Sequence, residues 1–143
     1  MILGALMDAG LPREALEQEL SRLPVSGYRL EYAQDKRGGI GGTRINIALE
    51  SQVGHGLSIE ELIGLVSLST LSMRIKEQAT LILKRLGQAE ARVHRTAPKD
   101  TRLHELGSLD TLVDVVCSVV GLEALGIDRL YSSPFPSGSG VVK

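Results

Sequence analysis

The sequence predicts an α+β domain in which one antiparallel β-hairpin and a short C-terminal strand pack against about five helices. Three observations lead there. Apolar residues recur at three- and four-residue spacing in several segments of the 143-residue chain. Between Gly27 and Leu49 the period switches from helical to alternating. The run from Leu109 to Leu122 is apolar around nearly its whole circumference, which suits a helix at the centre of a core.

Taken in order, Met1-Ile-Leu-Gly-Ala-Leu-Met has helical character and ends at Gly10, a residue suited to the left-handed position after a helix. Pro12 fits the first position of a second helix, Pro12 to Leu23, with Leu16, Leu20 and Leu23 inward and Glu14, Glu17 and Arg22 in water. Tyr28, Leu30 and Tyr32 then alternate with Arg29 and Glu31, and Ile45, Ile47 and Leu49 with Arg44, Asn46 and Ala48. This is a hairpin with one face on a core. Its connection, Asp35 to Gly42, reads as a flexible glycine-rich loop. A strand follows these glycines, whereas the P-loop and dinucleotide fingerprints need a helix there, so a phosphate contact through Lys36, Arg37 and backbone N–H groups is the lesser reading.

Ser51 to Leu57 is a loop carrying His55. Ser58-Ile-Glu-Glu is a capping box that opens a short helix through about Val66. Ser72 caps the longest helix, Met73 to Val93, with a predicted inward stripe of Ile75, Ala79, Ile82, Leu86, Ala89 and Val93. Arg74, Lys76, Lys84, Arg85, Glu90 and Arg92 form its solvated face, and His94 suits the negative end of the dipole. Thr96 to Asp100 is a linker into the apolar helix, Gly126 ends that helix, and Asp128-Arg-Leu-Tyr-Ser leads into the C-terminal strand.

Composition narrows the function. Sixteen basic against seventeen acidic residues leave no charge signal for nucleic acid or a membrane surface, and no aromatic platform lies among the arginines. With no Trp and one Phe, the core must be aliphatic. Cys117 stands alone in the apolar helix, which excludes a disulfide framework and suits a reducing compartment. No apolar run reaches the length of a membrane span and the start lacks a signal-peptide pattern, so the expected location is the cytoplasm.

One stretch concentrates potential ligand groups. Asp110 and Asp114 sit four apart on the apolar helix and share a face, and His104 and Glu105 lie just upstream, with Gly107 allowing the chain to fold back. Like charges at that spacing repel, and more so when partly buried, unless a cation lies nearby. A purely structural account is also available. Ser108 can cap the helix, Asp110 then faces the positive dipole end, and Asp114 can pair with an arginine. The pattern matches no standard zinc spacing. From the residues alone, two classes stay open: a metal-handling domain, or a noncatalytic structural or protein-interaction module.

Four stretches also carry a family likeness: Ile2 to Pro12; Arg37-Gly-Gly-Ile-Gly-Gly-Thr-Arg; Ala89-Glu-Ala-Arg-Val-His; and Leu103-His-Glu-Leu-Gly-Ser-Leu-Asp-Thr-Leu-Val-Asp-Val-Val, with Asp128-Arg-Leu-Tyr-Ser-Ser-Pro behind them. The sequence resembles the N-terminal part of the nickel-insertion proteins of nickel-pincer cofactor biosynthesis. That resemblance implies insertion of Ni²⁺, as substrate metal, into a pyridinium bisthiocarboxylate mononucleotide, using CTP and a divalent ion such as Mg²⁺ or Mn²⁺. On that reading His104 is the nitrogen ligand, and Glu105, Asp110 and Asp114 are oxygen candidates, with Asp110 or Asp114 alternatively orienting the imidazole. Asp114 or Glu105 is the proton acceptor. Lys36 and Arg37, read from the hairpin itself, are the candidate contacts to the nucleotide. Family members begin with a strand and an aspartate- and glycine-bearing loop before the first helix, and carry a C-terminal domain to which CTP binding is attributed. Residues 1–143 are therefore expected to form a single, partial domain that does not turn over alone, and whose unpaired sheet edge favours homo-oligomers.

Overall fold

The computed structural model describes residues 2–50, 57–95 and 109–134. In order they form α1 (Ile2–Asp8), α2 (Arg13–Leu20), β1 (Tyr28–Arg37), β2 (Ile40–Leu49), α3 (Ile59–Leu68), α4 (Met73–His94) and α5 (Leu109–Ala124). The two strands make a single antiparallel sheet, an α+β architecture.

The core is built around α5, against which α1, α2, α4 and β2 all pack. Leu112, Val113, Val116 and Cys117 are completely buried there, so the helix is enclosed as its apolar circumference requires. Gly121 allows the close approach of α1: a Cβ at that position would meet Leu6 at 2.7 Å and Leu11 at 3.0 Å. The inward face of the hairpin closes the other side. Tyr28 pairs with Leu49, Leu30 with Ile47 and Tyr32 with Ile45. The alternation expected from sequence holds from Tyr28 to Tyr32 and from Arg44 to Ile47, while Ala48, expected outward, is half-buried.

Local signals set most helix ends. Ser58 Oγ accepts from the Glu61 N–H, and the Glu61 carboxylate accepts from the Ser58 N–H at 2.7 Å, completing the capping box. Ser72 caps α4 by accepting from the Ile75 N–H. Pro12 occupies the N-cap of α2, one place earlier than expected, and α2 stops at Leu20; Leu23 is buried beyond its end.

Three expectations are corrected. The inward stripe of α4 is Ile75, Ala79, Leu83, Gly87 and Ala91, a constant four-residue step. Ala89 and Val93 are exposed, Ile82 lies outside, and Leu86 is only half-buried. The reason is contact distance. Ile59 of α3 lies 2.7 Å from where a Gly87 Cβ would stand, so a glycine takes the contact position that hydrophobicity assigns to Leu86. The Asp35 to Gly42 connection is not a long loop: both strands continue to a two-residue turn, Gly38-Gly39, with φ of 56° and 86°. Two successive positive φ values match the right-handed strand twist, and glycine meets them without strain. Lastly, residues 127–134 form no strand. Among the described residues β1 and β2 pair only with each other, and Leu130 and Tyr131 are 72% and 86% exposed. No described helix is long and apolar enough to cross a membrane.

Candidate functional site

Asp110 and Asp114 stand on the first two turns of α5, one turn apart. Asp110 is half-buried, and its Oδ1 accepts from the Thr111 N–H at 2.8 Å. Asp114 makes no hydrogen bond or ion pair with the described residues. Asp114 is exposed, yet desolvation by neighbouring atoms raises its carboxyl above the usual carboxylate range; the N-terminal amine pulls it back down, and the charge of Asp110 adds a smaller push upward. The repulsion that the spacing predicts is therefore present but small, and the N-terminal amine partly offsets it.

His104 and Glu105, and also His55, lie outside the described residues. Among the described residues no three His, Cys, Asp or Glu groups converge on a metal-sized site. Cys117, one turn beyond Asp114, is fully buried, and burial first and Asp114 second push its thiol up to about 12. At neutral pH it is an inert thiol packed in the core.

The cations expected to contact the nucleotide lie elsewhere, at the hairpin tip. Successive strand residues point to opposite faces, so Lys36, paired with Gly41, and Arg37, paired with Ile40, are separated by the sheet itself. Arg37 instead shares a face with Asp35 and Arg44. Its Nε stands 4.0 Å from Asp35 Oδ2, and the Arg44 Nε stands 3.9 Å from the same oxygen.

Sequence reasoning missed the structure that anchors this tip. Helix α1 lies along the outer edge of β2, so close that a side chain at Gly4 would land on the Thr43 carbonyl. Asp8 at the end of α1 accepts from the Thr43 N–H at 3.0 Å and from the Thr43 hydroxyl at 2.6 Å. These bonds hold its carboxyl below the usual range. A groove of about 510 Å³ is left between the end of α1 and the tip, lined by Asp8, Arg37, Gly41 and Arg44 among others. The Gly38-Gly39 pair was the legible signal, since a two-residue turn there fixes Arg37 and Arg44 on one face.

The nickel insertion protein family model matches residues 1–143, the whole chain. A protein of Syntrophobacter fumaroxidans, named a putative nickel insertion protein, is 43% identical over 143 residues, all of this chain and 36% of its own length. A Dictyoglomus thermophilum protein of the same name is 40% identical over 142 residues, 99% of this chain and 36% of its own length. The pyridinium-3,5-bisthiocarboxylic acid mononucleotide nickel insertion protein of Desulfitobacterium hafniense is 39% identical over 144 residues, 100% of this chain and 35% of its own length. No solved structure matches at a comparable level. The chain spans little more than a third of the length of these curated relatives. Matched from its first residue to its last, it belongs to the nickel insertion protein family.

Proposed function

We propose that this chain is the metal- and substrate-handling part of a protein that inserts nickel into pyridinium-3,5-bisthiocarboxylic acid mononucleotide. The observation that carries the reading is the pair of carboxylates sharing one face of α5, with Asp114 hydrogen-bonded and ion-paired to no described residue, in a chain matched along its whole length to nickel insertion proteins. Nickel accepts imidazole and carboxylate together. In this reading Ni²⁺ is substrate, His104 is its nitrogen ligand, and Glu105, Asp110 and Asp114 supply oxygen or orient the imidazole.

The carbon–nickel bond forms at the pyridinium ring as a ring C–H bond breaks. The electron pair of that bond goes to the metal–carbon bond and the proton must leave. Asp114 or Glu105 takes it, and a carboxyl raised above the usual carboxylate range suits that task better than an ordinary one. On this reading the whole protein also uses CTP, whose binding the resemblance attributes to a C-terminal domain, and a divalent ion such as Mg²⁺ or Mn²⁺.

Isothermal titration with Ni²⁺ tests the reading. Binding that is lost in His104→Ala and weakened in Asp114→Asn supports it, and equal heats in all three proteins overturn it. In the full-length protein Asp114→Asn is expected to abolish metallation while the fold persists. A second reading, a noncatalytic module, draws on the bond from the Thr111 N–H to Asp110, which gives that carboxylate a structural partner. The absence of Ni²⁺ binding by any variant would favour it.

A further inference from the structure

The hairpin tip holds a glycine that the fold does not require. Gly38 and Gly39 meet positive φ, and a Cβ at Gly42 would press on Asp8 Oδ2 at 3.2 Å. Gly41 has neither reason: its φ is not positive, and a Cβ there would meet nothing within 4 Å. The register runs through it without a bulge. Glycine within a strand costs stability and, where no bulge or bend explains it, marks close approach of a ligand or another backbone.

The ladder shows what Gly41 exposes. Antiparallel pairs alternate between hydrogen-bonded and open, and Thr43 turns its N–H outward to Asp8. Two residues along, Gly41 turns its N–H to the same edge, past the end of α1 and into the groove. Beside it stand two guanidinium groups that share one carboxylate oxygen at 3.9 and 4.0 Å, and neither makes a hydrogen bond with the described residues. Each guanidinium presents five donors in a planar fork that matches phosphate oxygens. Asp35 Oδ1 is already taken by the Lys36 N–H at 2.8 Å, and Asp8 by Thr43. With Lys36 on the far face, the tip carries three cations against two carboxylates.

We propose that the groove between the end of α1 and the hairpin tip binds a phosphate group through Arg37, Arg44 and the Gly41 N–H. The inference deepens the nickel-insertion reading by giving its substrate an anchor, and rests on that reading only for the identity of the ligand. The phosphate comes either from a mononucleotide or from CTP, and the chemistry of recognition is the same for both.

The test titrates the full chain with ribose 5-phosphate, with CTP and with ribose, following the Gly41 amide by NMR and the affinity by calorimetry. Ribose 5-phosphate or CTP is expected to move the Gly41 amide, and ribose is not; the tighter phosphate ligand names the source. Arg37→Ala and Arg44→Ala should each weaken binding roughly tenfold. Asp35→Asn should tighten it several-fold by removing the competing charge. Gly41→Ala should weaken binding with an unfolding midpoint that does not fall, since its methyl has room and glycine within a strand costs stability. An unmoved Gly41 amide with both phosphates overturns the proposal, as does wild-type affinity in the arginine variants. Ni²⁺ titration of the same proteins keeps the two readings apart: phosphate binding without nickel binding sinks the metal assignment and leaves this site standing.

Discussion

Helix α5 and the hairpin tip solve opposite problems. Along α5, Leu112, Val113, Val116 and Cys117 are sealed from solvent, and the carboxylates proposed to handle the metal, Asp110 and Asp114, stand on its first turns. At the tip Ile40 is 78% exposed, and four of the five residues from Gly38 to Gly42 have no side chain. The helix is held by what surrounds it. The tip is held by a turn and by a few directed bonds, chiefly Asp8 to Thr43. Substitutions on α5 should therefore be read first in stability, and those at the tip first in binding.

The largest effect expected from that contrast is in the core. Leu112→Ala should cost about 2–5 kcal/mol, because the enclosing helices cannot fully collapse onto the space left. The matching change at the tip, Ile40→Ala, should stay within about 0.5 kcal/mol. Urea unfolding of the two variants checks the difference, and equal midpoints would dissolve the contrast. An intermediate effect is expected at the turn. Gly39→Ala forces a Cβ into positive φ and should cost about 1–2 kcal/mol, again by urea unfolding.

The smallest effect concerns pH. The folded chain raises the Asp114 pKa above its unfolded value, so the folded state holds more protons than the unfolded one between those values. Stability from this group is greatest below the ordinary carboxylate pKa and falls as pH rises through the raised one. Asp8 has the opposite sign: its lowered pKa contributes stability above the unfolded value that is lost as pH falls through the folded one. Asp114→Asn should remove the first slope and leave the second, and unfolding midpoints measured across the acid range should separate them.

The features legible in advance were those with a local cause. The Ser58 capping box, the Ser72 cap, the alternation of Tyr28, Leu30 and Tyr32, and the enclosed helix each follow from neighbours in the chain. Where a distant partner decides, the sequence misleads. Val93 has the hydropathy of a core residue and is 74% exposed, while Gly87 lies buried against Ile59. Asp128 to Ser132 has the residues of a strand but no strand beside it among the described residues. The candidate site divides in the same way. The spacing of Asp110 and Asp114 already placed them on one face, whereas the separation of Lys36 from Arg37, and the joining of Arg37 to Arg44, awaited the register.

By itself, then, the sequence determined the helical and alternating segments, the enclosure of α5 and the family to which the chain belongs, because periodicity, caps and motif spacing are properties of neighbouring residues. Only the tertiary structure decided which side of α4 is buried, that α1 closes the edge of β2, and that an open groove remains at the hairpin tip. Those outcomes depend on how closely two elements can approach, and at Gly4, Gly87 and Gly121 that distance is set by a partner remote in the chain.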